Sequence, residues 1–225
     1  PQPWRYDWLT VSVIILLVAM LLMLRRSAKH LYAQAQQFML PTRNREASTD
    51  VQPLIGFPTI AFCTLLLSFA GSCATIWYVI HERGVFLGSL SPYLLFALSM
   101  LCLVAATGAK FIAYRFVNWV FFDRQKSFTW WGHFQFLFVL ESTALFVLVV
   151  FGFYFNFPFE KMFWAALSII IFVKFLLLVK SYQIFFADFY GIFHEIVYLC
   201  TLEAAPMLVA AKILIQITRR LNVFF

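Results

Sequence analysis

What most constrains this chain is a series of segments nearly free of charge, each about long enough to cross a bilayer. A spanning helix needs about 20 largely apolar residues. From Trp8 to Leu24 no charged residue occurs, and Arg25-Arg26 then close the run. Val51 to Ile80 carries no charge at all and has Pro58 near its start. A third run opens at Ser91-Pro92, where proline suits the first helical turn, and stays apolar past Lys110 and Arg115 to Phe122. A helix of about 30 residues from Tyr93 would rise about 45 Å against a hydrocarbon core of about 30 Å. It is therefore expected to leave the bilayer near Arg115 rather than break at Thr107-Gly108. A fourth run enters through Trp130-Trp131, and a fifth follows Lys161. The last, with Pro206 inside it, is again too long for a simple span and is expected to kink there.

The expected fold is all-α: a polytopic transmembrane helix bundle forming one integral membrane domain over residues 1–225. Spans are placed at about 8–24, 57–80, 92–115, 134–154, 162–180 and 187–218, with a seventh if a long segment folds back. Between the first two spans, Leu31, Tyr32, Ala35, Phe38 and Met39 recur at helical spacing, with Lys29, Gln34, Gln36 and Gln37 largely opposite. That stripe predicts an amphipathic helix over 27–40 lying in the membrane interface, with Arg25, Arg26 and Lys29 as anchors.

Composition decides the solvent. Charged residues are 12% and hydrophobic residues 63%, against roughly 25% and 45–50% in soluble domains, too few charges to cover a water-facing surface. The net charge of +7 falls beside apolar runs with no nucleic-acid motif, so it is assigned to lipid headgroups and not to nucleic acid. Counting Lys and Arg near helix ends places loops one, three and five in the cytoplasm and both termini outside. The strong positive charge follows the first apolar run, the pattern of a retained anchor and not of a cleaved signal peptide. Cys63, Cys73, Cys102 and Cys200 all lie in apolar stretches and read as small buried hydrophobes.

Charges inside the apolar runs are the chemically informative residues. Glu141, Lys174, Glu195, Glu203 and Lys212 fall in the last three spans and Lys110 in the third. Such groups are costly in hydrocarbon and are candidate functional positions. They either pair inside the bundle, snorkel toward the surface as Lys174 and Lys212 are placed to do, or handle a proton, an ion or a partner. Enzymatic motifs are missing. His81-Glu82 and His194-Glu195 start like a zinc-protease helix but lack the second histidine. Neither a nucleophile elbow nor a nucleotide-binding loop is present. No catalytic residue, cofactor or metal site is expected. His133 and His194 read as interfacial hydrogen-bonders before haem ligands. The phenylalanine-rich segment through Phe151, Phe153, Phe155, Phe157 and Phe159 reads as lipid contact and packing.

Phe193-His194-Glu195-Ile196-Val197-Tyr198-Leu199-Cys200-Thr201-Leu202-Glu203-Ala204-Ala205-Pro206 resembles the last-helix signature of an uncharacterised family of multi-pass membrane proteins from Bacteroidota, a domain of unknown function. Arg5-Tyr6-Asp7-Trp8-Leu9-Thr10 and the segment from Lys110-Phe111 through Trp119 are similar to it as well. The resemblance implies a bacterial inner-membrane location and supplies no activity. The expected function is a non-catalytic membrane subunit or accessory factor that binds other integral membrane proteins. The alternative is a small proton- or ion-linked transporter using Glu141 and Glu203.

Overall fold

The structure is a computed structural model, describing residues 7–39, 55–83, 92–121, 124–155, 157–185 and 212. Among these there is no strand. Five helices follow one another: α1 Asp7–Met39, α2 Phe57–Arg83, α3 Pro92–Phe121, α4 Arg124–Tyr154 and α5 Phe159–Phe185. Each is long and apolar enough to cross a membrane. The sixth expected span, about 187–218, lies outside the described residues except for Lys212, and with it His194, Glu195, Glu203 and Pro206.

Local chemistry explains the boundaries. Pro58 occupies the first turn of α2, where a missing N–H costs nothing, and the Thr59 amide donates to the Gly56 carbonyl at 3.0 Å. Pro92 opens α3 in the same way. Through Thr107-Gly108 the third helix runs unbroken, since one glycine weakens a helix by only about 1 kcal/mol and neighbours hold it. Pro158 separates α4 from α5.

The segment 27–40, expected as a separate helix lying in the membrane plane, is corrected by the structure. Residues 27–39 are the last part of α1, a single helix of 33 residues and about 50 Å. Two facts account for the continuity. Arg25-Arg26-Ser27-Ala28 contains no glycine or proline to turn the chain. The buried face also continues without a break: Val13, Met20, Ser27 and Gln34 recur every seven residues, and all four are buried. Ser27 and Thr59 share a hydrogen bond between α1 and α2, at 3.2 Å. Leu31 packs against the Ile55–Cys63–Phe138–Val139 cluster, and Phe38 against the Trp130–Phe134–Leu177 cluster. Leu31 and Phe38 of the apolar stripe thus meet neighbouring helices, while Tyr32 faces outward.

α2 and α4 form the interior of the bundle, with about half of their spans buried against 17% for α1, α3 and α5. Ser68, Ser72, Ser99 and Ser142 are fully buried at helix contacts, where small side chains let backbones approach. Each hydroxyl donates to a carbonyl of its own helix, for example Ser142 to Phe138 at 2.7 Å, so none of these four is left bare in the interior. Gly71 serves the same end: a Cβ there would sit 2.6 Å from Leu103 Cδ1 of α3.

Ring contacts fix which helix ends meet. Trp8 lies against Tyr93 and Phe96, and Trp77 against Phe153 and Phe159, at one end. At the other, Phe38 meets His133, Lys180 Nζ sits 4.6 Å over the Phe38 ring, and Trp130 Nε1 donates to Ser181 Oγ at 2.7 Å. Cysteines placed at the exposed Gln36 and Gln183 should therefore react with an impermeant thiol reagent from one side of a sealed vesicle, and one at Phe157 from the other. Labelling of positions 36 and 183 from opposite sides would contradict this arrangement.

Candidate functional site

Two apolar clusters stack along the bundle. Leu66, Phe69, Trp77, Phe146, Val149 and Phe153 belong to one, and Tyr114, Trp130, Phe134, Leu137, Val173 and Leu177 to the other. On α4 Glu141 lies between the residues of the two clusters, and on α5 Lys174 follows Val173 of the second; these are two charges that the apolar pattern cannot accommodate. Glu141 is 4% exposed. Lys174 Nζ donates to its Oε2 at 2.8 Å, joining α4 to α5 in a part-buried ion pair. The expectation that Lys174 snorkels is replaced by an inward turn to Glu141. Coulomb attraction explains the preference: in a low-dielectric interior the nearest opposite charge is worth far more than partial hydration at a distant interface.

Lys110 is also buried, on α3, with its ammonium 5.9 Å from the Tyr114 ring centre. Glu141 and Lys110 both border a cavity of about 310 Å³ between α2, α3, α4 and α5. Small side chains make room for it, Ala70, Gly71 and Ala74 of α2 with Ala106 of α3 and Ala166 of α5, and larger apolar residues with Thr75 and Thr107 complete the lining. The structure therefore brings Glu141 and Lys174 into contact and sets Lys110 on the same cavity. Counted from the Trp8, Tyr93, Tyr154 and Phe159 end, Arg25, Lys110, Lys174 and Glu141 lie about 20–26 Å in, on the side where loops one, three and five emerge. Arg25, Arg26 and Lys29 project outward from α1 at that level.

His133 reads in the sequence as an interfacial hydrogen-bonder and Gln34 falls on the polar side of the 27–40 stripe, but that reading missed the polar group they form at the far end of the bundle. Gln34, His133, Gln135, Lys180 and Ser181 are all buried there among aromatic rings. For Gln34 the seven-residue recurrence through Val13, Met20 and Ser27 was the available signal. Among the described residues no three His, Cys, Asp or Glu side chains gather as a metal site would require. Cys63 and Cys73 are buried and Cys102 is half-buried, all three as free thiols.

These features define an all-helical protein whose apolar helices are built to span a membrane, with a charge pair enclosed in the bundle. Residues 9–214 match the family described as Domain of unknown function (DUF4271), and the chain belongs to that family. No curated protein and no solved structure matches it.

Proposed function

We propose that the chain is a non-catalytic subunit or accessory factor of a bacterial inner-membrane complex, holding other integral membrane proteins through its helices. The observation that carries this reading is the Glu141–Lys174 contact. A carrier needs an intramembrane carboxylate that exchanges partners as its cargo moves. Glu141 already has its counter-charge in the next helix at 2.8 Å, and exchanging it would cost a carboxylate buried in the bundle that ion pair. The pair serves as a lock between α4 and α5, which suits a scaffold presenting fixed faces. The transporter reading has one observation in its favour, the cavity reaching Glu141 beside Lys110.

Mild purification of the chain from its native membrane separates the two. The subunit reading predicts at least one other integral membrane protein at stoichiometric ratio through successive columns. Recovery of the chain alone, with proton or ion flux after reconstitution into sealed vesicles, would establish the carrier instead.

A further inference from the structure

The outward face of α1 combines two features that no packing requirement explains. Val11, Ile15, Val18 and Leu22 are 49–61% exposed and lie within about 60° of one another around the helix. Directly above them on the same face are Arg25, Arg26 and Lys29, all exposed, and beyond these the exposed Tyr32. The buried face, through Leu9, Val13, Met20, Ser27 and Gln34, is on the opposite side. One surface of a single helix thus offers an apolar strip about 17 Å long, capped by three cations within about 6 Å of helix rise.

We propose that this face binds an anionic phospholipid, its acyl chain along Val11 to Leu22 and its phosphate at Arg25, Arg26 and Lys29. Each element of the ligand has its counterpart. Hydrocarbon meets the apolar strip, and a phosphodiester meets two guanidinium forks, which grip phosphate oxygens in pairs where an ammonium offers a point charge. The level is right as well, because the three cations follow the charge-free run that ends at Leu24, and their long side chains reach from there toward the headgroups. Tyr32, one turn beyond Lys29, has the amphipathic character found at the headgroup layer. Charge complementarity selects an anionic lipid over a zwitterionic one, in which a choline or ethanolamine amine would face the same cations. The inference is independent of the subunit reading, since a carrier would carry the same face.

Native mass spectrometry of the chain, released from nanodiscs of equal phosphatidylglycerol and phosphatidylcholine, tests it. The native chain should retain phosphatidylglycerol preferentially. Each basic group near an anionic surface contributes about fivefold in affinity, so R25Q/R26Q/K29Q should lower the preference by tenfold or more. K29R, which keeps the charge, should leave it intact. Unfolding midpoints of both variants in detergent report whether the fold survives. A folded triple variant with undiminished preference for phosphatidylglycerol overturns the site, and so does a native chain that retains the two lipids equally, as an unselective lipid annulus would.

Discussion

Glu141→Leu is expected to destabilise the bundle by about 3–5 kcal/mol, because it removes the carboxylate that Lys174 holds across α4 and α5. Lys174 keeps 22% of its side-chain exposure, so it can relax outward, and the effect should fall toward the lower end of that range. Glu141→Leu/Lys174→Leu should recover most of the loss. Apolar residues fill the same space between α4 and α5 without any desolvation of charge, and buried pairs replaced in this way are often neutral or better. Reversible unfolding in mixed micelles, followed by helix content, measures both. Were the two variants equal within about 0.5 kcal/mol, the contact would contribute no coupling, and its role as a lock would fail.

The second large effect concerns the solvent. Ile171 is 60% exposed and stands at the middle of the α5 span, Phe159–Gln183, beside Phe172 and Phe175, which are exposed as well. On a helix facing water, an aspartate at such a position changes stability by less than about 0.5 kcal/mol. At the centre of a lipid-facing helix the same residue costs about 2.5–3.5 kcal/mol, and the lost isoleucine adds several tenths more. Ile171→Asp should therefore reduce insertion of α5, measured as the protected fraction after protease treatment of membranes. Ile171→Leu should insert as the native chain does. Normal insertion and accumulation of the aspartate variant would mean that this face does not contact lipid.

The spans were legible because hydrocarbon imposes a crude demand, the near absence of charge over about 20 residues, that needs no knowledge of neighbours. The far half of α1 was misread for the opposite reason. Leu31, Ala35 and Phe38 have helical spacing whether they face a membrane surface or another helix, and periodicity alone does not distinguish the two. The deciding pattern was longer: Val13, Met20, Ser27 and Gln34 carry one face straight through Arg25-Arg26, so the basic pair interrupts the apolar run without ending the helix. Lys174 posed a similar difficulty. Its position near a helix end allowed snorkelling, and only the facing of α5 on α4 brings its ammonium to Glu141. Glu141 itself was marked by chemistry alone, as a carboxylate in mid-span that had to find a partner. Arg25, Arg26 and Lys29 were recognised as anchors, though they act from the outer side of a continuous helix.

The most direct measurement of the central claim is native-membrane purification of the charge-swapped chain, Glu141→Lys/Lys174→Glu. The swap preserves an ion pair between α4 and α5 and moves the carboxylate to the other helix. If the pair is a lock within a subunit, the swapped chain should accumulate, fold and bring down the same membrane partner at the same ratio as the native chain, while Glu141→Lys alone should not. A swapped chain that folds, but loses an ion flux the native chain carries out alone in vesicles, would contradict the account.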